Sequence, residues 1–253
     1  MGLFLIKLGG SSISDKTKPL SYREDWVRGF SRVVLKFLRE GHQFIFIHGG
    51  GSFAHPLALS YGLSRYVDEQ QTVGISLTSA VLFNLSFKLT MTMTKEGLPI
   101  YPIRTGSIYA VNNGKPQLLI DTAHLRLIMS RGLIPMLFGD VVPSDEGFSI
   151  ISGDDIMLDL GMRLRPNTAV FLTDVRGVLD PNGNLIKVVK SLDVTIREMG
   201  HIDVTGGLIK KLRVALELSR YARTYLCGIW DLDSIRDVLS GGEPLGCTEF
   251  RTE

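Results

Sequence analysis

Lysine is costly to bury, yet Lys7 lies inside the apolar run of residues 2–8, where an unpartnered ammonium is strongly disfavoured. A lysine at that place implies an anion to meet. The run stops at Gly9-Gly10-Ser11, and three further glycine groups follow: His48-Gly49-Gly50-Gly51-Ser52, Ile151-Ser152-Gly153-Asp154-Asp155 and Val204-Thr205-Gly206-Gly207. Each stands where a predicted strand ends or a predicted helix begins. Glycine there lets backbone N–H groups approach a ligand unobstructed. The helix start adds partial positive charge, so each junction is a candidate phosphate site. One such cluster is ordinary turn chemistry. Four of them, with Lys7, Lys16 and Lys211 nearby, point to binding or transfer of phosphate.

The familiar apparatus for that chemistry is missing. Gly114-Lys115 is followed by Pro116, so there is no P-loop, and no GxGxxG follows a strand. Gly50-Gly51-Ser52-Phe53-Ala54 lacks the last glycine of a nucleophile elbow. No HExxH is present, and no Cys/His cluster suggests a metal centre.

The elements that must position these groups read as alternating strands and helices. Strands are expected over 2–8, 43–47, 99–103, 134–138, 168–172 and 224–229. Helices are expected over 26–38, 68–95, 122–131, 154–164, 208–218 and 232–239, with a hairpin over 141–151. The alternation predicts an α/β fold, a three-layer αβα sandwich with a largely parallel central sheet. Ligands in such folds bind beyond the carboxyl ends of the strands, where the glycines fall.

Composition narrows the classes. With 253 residues and 44% hydrophobic side chains, the chain can form a continuous core, in one large domain or two small ones; the alternation of elements is read as a single domain over 1–253. A net charge of +2 gives no basic field of the kind that recruits nucleic acid. Cys227 and Cys247 show no CxxC spacing; they speak against a disulfide scaffold and suggest a reducing compartment. The first apolar run is too short for a signal peptide, and glycines, Pro56 and hydroxyl residues interrupt the longer uncharged stretches. A cytoplasmic protein with neither membrane nor nucleic acid as partner is expected.

The order Lys7-Leu8-Gly9-Gly10-Ser11, Asp15-Lys16, then His48 to His55, Ser152 to Asp155, and Asp203 to Gly207 with Lys211 resembles the amino acid kinase family. The glycine loop ending in His55 is similar to the branch of that family that phosphorylates isopentenyl phosphate. Thr173-Asp174-Val175 and Gly177-Val178 resemble its nucleotide-side loop. Ala54 and Arg176 depart from the pattern, where glycine and an acidic residue are usual.

The resemblance implies ATP-dependent conversion of isopentenyl phosphate to isopentenyl diphosphate in isoprenoid biosynthesis, by the alternative mevalonate pathway. Residues 1–165 would mainly bind the acceptor and 166–253 the nucleotide. It further implies that Lys7 reaches the transferring phosphoryl group and that Gly9, Gly10 and Ser11 cradle the ATP phosphates. Lys16 and Lys211 would neutralise the β and γ phosphates, with Asp154 holding the ammonium groups. Thr173, Asp174, Gly177 and Gly206 would complete the nucleotide side. Gly50, Gly51, Ser52, His55, Ser152 and Gly153 would hold the acceptor. Mg²⁺ would travel with ATP, since no carboxylate cage is evident.

Residues 70–87 carry no charge at all, which is unusual for a surface helix. Val73, Leu77, Val81 and Phe83, followed by Phe87 and Met91, are read as candidate walls for a short hydrocarbon tail; plain core or a homodimer interface is the rival reading. Two other functions stay open: a phosphonate kinase of the fosfomycin-resistance type, and a non-catalytic nucleotide- or metabolite-binding protein on the same fold.

Overall fold

Strands β1 (Leu3–Leu8), β2 (Gln43–His48), β6 (Ile134–Phe138), β9 (Thr168–Thr173) and β11 (Arg223–Gly228) are buried almost end to end. They are apolar on both faces, as parallel strands covered by helices must be. The computed structural model describes residues 1–15, 17–193, 195 and 206–252. Around these strands the chain places α1 (Gly10–Ile13), α2 (Glu24–Arg39), α3 (Gly51–Ser60), α4 (Gln71–Lys95) and β3 (Ile100–Pro102). Next come β4 (Tyr109–Asn112), β5 (Lys115–Leu118), α5 (Thr122–Ser130), β7 (Asp140–Ser144), β8 (Gly147–Ile151) and α6 (Gly153–Leu164). The C-terminal part adds β10 (Val188–Val189), α7 (Gly206–Leu218), α8 (Leu232–Ser240) and β12 (Cys247–Phe250).

The main sheet has eight strands in the order β10-β12-β11-β9-β1-β2-β6-β3. From β11 to β3 neighbouring strands run parallel, while β12 lies antiparallel on β11. One face packs Phe4, Ile6, Phe44 and Phe46 against α2, α4 and α8 through Phe30, Leu85, Leu89 and Ile235. The other packs Leu5, Ile45, Leu137 and Phe171 against α5, α6 and α7 through Leu125, Ile156, Leu160 and Leu212. The expected three-layer sandwich is therefore present. Strand order reverses at β1, which has β2 on one side and β9 on the other. That switch point opens a crevice at the strands' carboxyl ends.

A second sheet, β5-β4-β7-β8, goes beyond the single hairpin expected over 141–151. Its additional hairpin turns at Asn113-Gly114, with φ of 50° and 70°, the type I′ geometry that Asn-Gly favours. Pro116 stands on the edge strand β5, where no N–H is needed.

Helix α4 is apolar on both its buried and its exposed side. Its buried side carries Gly74, Thr78, Ser79, Leu82, Leu85 and Ser86, whereas Val73, Leu77, Phe83, Phe87 and Met91 are exposed. Among the described residues it is the one helix long and apolar enough to cross a membrane, by length and composition alone. In the fold it is seated on α2, α3 and β3.

The cysteines correct the sequence reading. Cys227 and Cys247 oppose each other across the antiparallel β11–β12 pair and form a disulfide. Their separation of 20 residues spans α8 and the connection that leads into β12. Sequence spacing alone does not reveal that adjacency.

Candidate active site

Lys7 is the penultimate residue of β1, at the switch point, and is only 6% exposed. Its Nζ lies 2.7 Å from Asp154 Oδ1, and Lys211 Nζ approaches the same oxygen at 3.6 Å. Two cations thus share one buried carboxylate, leaving a net positive charge in a site of low dielectric. Burial, followed by the Lys211 charge, lowers the Lys7 pKa to about 8 against the opposing pull of Asp154. For Asp154, burial acts upward, but the Lys7 and Lys211 ammonium groups outweigh it and hold the carboxyl below its usual range.

Asp154 is presented by the first turn of α6, whose start is fixed by a capping box. The Asp155 carboxylate accepts hydrogen bonds from the Ser152 N–H and hydroxyl, and the Ser152 hydroxyl accepts from the Asp155 N–H. Asp155 also takes Lys210 Nζ at 2.8 Å. Adjacent aspartates on α6 therefore anchor adjacent lysines on α7.

The two N-terminal glycine loops interlock. Gly9 N–H donates to the Leu172 carbonyl at 3.0 Å, and Gly49 N–H to the Leu8 carbonyl at 2.9 Å. A Cβ on Gly10 would stand 2.5 Å from Gly51 N, and one on Gly49 would stand 2.7 Å from Gly10 N. Side chains are excluded here because backbone meets backbone. The Ser14 hydroxyl stitches the loops together, donating to the Gly10 carbonyl at 2.7 Å and accepting from Ser52 N–H at 3.0 Å.

These groups surround a cavity of about 530 Å³. Lys7, Gly9, Gly10, Ser11, Gly50, His55, Ser152, Gly153, Asp154, Thr173, Asp174 and Lys211 all line it. Segments separated by as many as two hundred residues thus converge on one crevice. The Ser152 hydroxyl is committed to the α6 cap.

Other expected site residues lie elsewhere. Gly51 and Ser52 are buried behind the loop: Gly51 has φ +51° against Gly10, and the Ser52 hydroxyl lies 3.3 Å from that of Ser21. Gly177 packs against Leu185 and Thr248. Gly206 is the first residue of α7, and its neighbour Gly207 lines the cavity. Lys16 and residues 203–205 lie outside the described residues.

The apolar wall also differs from the expectation. Val73 is 57% and Phe83 44% exposed, both on the outer side of α4. Phe83 meets Phe138 edge-on and carries the Arg104 guanidinium over its ring. The wall is instead formed by Ala54, Ala58, Thr78, Leu82, Val141, Ile150 and Ile151. With no charged residue in 70–87, nothing marked which side of the helix faces outward, and its buried side mixes small and hydroxyl residues (Gly74, Thr78, Ser79, Ser86) with Leu82, Leu85 and Leu89. Gly49, Gly139, Asp140, Val175, Gly207, Leu208 and Lys210 complete the lining, and of these Gly139, Asp140, Leu208 and Lys210 were not anticipated. Of these, Lys210 carried a signal, its adjacency to Lys211.

Among the described residues no group of three or more His, Cys, Asp or Glu could hold a metal ion.

A family model described as the amino acid kinase family matches residues 2–226. Isopentenyl phosphate kinase of Thermoplasma acidophilum is 32% identical over 222 residues, covering 85% of this chain and 86% of that protein. The crystal structure of the T. acidophilum isopentenyl phosphate kinase product complex has a TM-score of 0.79 at 26% identity, covering 99% of this chain and all of that one. X-ray structures of isopentenyl phosphate kinase give a TM-score of 0.82 at 25% identity over 98% of this chain and 99% of that one. A match of this extent, over a fold with its glycine loops and lysines in the family's order, means that the chain belongs to the amino acid kinase family.

Proposed function

We propose that the protein is an isopentenyl phosphate kinase, transferring the γ-phosphoryl group of ATP to isopentenyl phosphate to give isopentenyl diphosphate and ADP for isoprenoid biosynthesis by the alternative mevalonate pathway. The observation that carries this reading is the Lys7–Asp154–Lys211 cluster, set in one cavity with two interlocked glycine loops and an uncharged wall. The named relatives support the same acceptor.

An oxygen of the acceptor phosphate attacks the γ-phosphorus. The bond to the β–γ bridging oxygen breaks, and its electron pair leaves with ADP. A phosphate monoester is largely dianionic at neutral pH, its second pKa being near 6, so no general base is required. The barrier is the approach of two polyanions, and positioning with electrostatic stabilisation lowers it. Lys7 holds the transferring group, Lys211 and Lys16 neutralise the β and γ phosphates, and Asp154 positions the ammonium groups. Gly9, Gly10 and Ser11 cradle ATP, with Thr173 and Asp174 on its nucleoside side. Gly50 and His55 hold the acceptor phosphate. Residues 1–165 provide mainly the acceptor half and 166–253 mainly the nucleotide half.

Part of the phosphate charge would be neutralised by Mg²⁺ carried in with ATP. ATP as donor is compatible with a cytoplasmic reaction. The exposed apolar side of α4, with Val73, Leu77, Phe87 and Met91, is suited to burial between two copies in a homodimer.

The test is ATP consumption across isopentenyl phosphate, dimethylallyl phosphate, fosfomycin, uridylate and acetylglutamate. The two prenyl phosphates should be turned over with the highest kcat/KM. Preference for fosfomycin would reassign the protein as a phosphonate kinase, and silence across the panel would point to a binding protein.

A further inference from the structure

The reaction as written makes no use of His48, although this is the histidine that opens the triple-glycine loop. It ends β2, opposite Leu8 of β1 and Phe138 of β6, and is fully buried. Its ring stacks on Phe138 with centroids 5.0 Å apart and planes inclined by 25°. Nδ1 lies 3.1 Å from the Gly49 carbonyl oxygen. A carbonyl only accepts, so Nδ1 must carry the proton in this contact. Nε2 is buried with no hydrogen-bond partner. A cationic ring would leave a charged donor unpaired in an apolar surround, and burial indeed lowers the His48 pKa to about 4. The ring is therefore the neutral Nδ1–H tautomer.

The consequence falls on the loop. In a trans peptide the C=O of one residue and the N–H of the next point to opposite sides of a rigid plane. Holding the Gly49 carbonyl against the His48 ring directs the Gly50 N–H to the opposite side. Gly49 and Gly50 both line the cavity, and glycine alone would leave this peptide free to rotate. The main chain of His48 is fixed as well: its carbonyl accepts the Gly139 N–H at 3.0 Å, and the next N–H donates to Leu8.

We propose that His48 is a positioning residue for the acceptor's phosphate: through an Nδ1–H bond to the Gly49 carbonyl it locks the triple-glycine peptide so that the Gly50 amide is presented to the acceptor without reorganisation. In its application to prenyl phosphates the proposal rests on the function given above, whereas the anion-binding geometry does not depend on the tail.

Two substitutions separate this role from packing. His48→Phe keeps an aromatic ring on Phe138 and removes the donor. His48→Asn sacrifices the stack but places an amide N–H near the former Nδ1. His48→Phe should raise KM for isopentenyl phosphate and Kd for inorganic phosphate about five- to tenfold, the loss of one oriented hydrogen bond, with KM for ATP within about twofold of wild type. His48→Asn should recover most of that loss. On the unaltered protein, long-range ¹H–¹⁵N correlation should show the His48 proton on Nδ1 and Nε2 bare at pH 7. A proton on Nε2, equal acceptor KM in the two variants, or parallel rises in both substrates' KM would each overturn the proposal. If wild-type protein fails to use prenyl phosphates, the function given above falls; the tautomer and the phosphate Kd still decide the role of His48.

Discussion

The two ends of the cavity are built on opposite principles. At the phosphate end, buried charge and bare backbone are fixed by specific contacts: Lys7 and Lys211 on Asp154, Gly10 against Gly51, and Ser14 bonded to both loops. At the other, the proposed tail end, Ala54, Ala58, Leu82, Val141 and Ile150 present an apolar surface whose contacts are non-directional. Chemistry needs the first kind, because a misplaced cation loses most of its value to a transition state. Choice of tail needs only volume and dryness. Substitutions at the first end should therefore change rate, and those at the second should change acceptor range.

The largest effect is expected for Lys7→Ala. Removing the ammonium should lower kcat about 10²- to 10³-fold, measured with saturating ATP and acceptor. A near-normal kcat would erase the distinction between the two ends.

Raising the pH tests the same charge without mutation. The Lys7 ammonium, with its pKa lowered to about 8, is present below that pH and lost above it. The kcat/KM for isopentenyl phosphate should thus fall as pH rises through about 8, approaching tenfold per unit beyond it. A flat profile to pH 10 would show that Lys7 does not act as a cation.

Gly10→Ala challenges the interlock. Its Cβ would meet backbone atoms of Gly51 at 2.5 and 2.6 Å, so the loops must separate. We expect about 1–3 kcal/mol of destabilisation by urea titration, the usual range for overpacking, together with weaker binding of both substrates. Unchanged stability would mean that the loops are not in contact.

The smallest effects belong to the tail wall. Leu82→Ala should raise KM for isopentenyl phosphate up to about tenfold through lost apolar contact and admit longer prenyl phosphates. Phe83→Ala, on the outer side of α4, should leave the chain-length profile unaltered. Reversal of those two results would put Phe83 back in the slot.

The same contrast governs what could be read from the sequence. Lys7 was conspicuous because a charge inside an apolar strand demands a partner, and the glycine clusters because backbone approach requires them. Central strands such as β6 were clear for a similar reason: burial on both faces leaves an unbroken apolar run. The side of α4 that faces the cavity was not legible. A helix without charge has no polar stripe to mark its outside, and Thr78 and Leu82 look no more internal than Val73 and Phe83. Asp140 and Gly139 were hidden because the β6–β7 junction approaches the site only through tertiary folding. The Cys227–Cys247 pair was hidden likewise, by a strand that returns beside its predecessor.

Phosphoryl transfer itself is visible by ³¹P NMR of the purified protein with ATP, Mg²⁺ and isopentenyl phosphate. Two coupled diphosphate resonances of the prenyl product should grow in step with ADP and without inorganic phosphate. ADP released together with free phosphate, the prenyl monophosphate signal staying unchanged, would contradict that transfer.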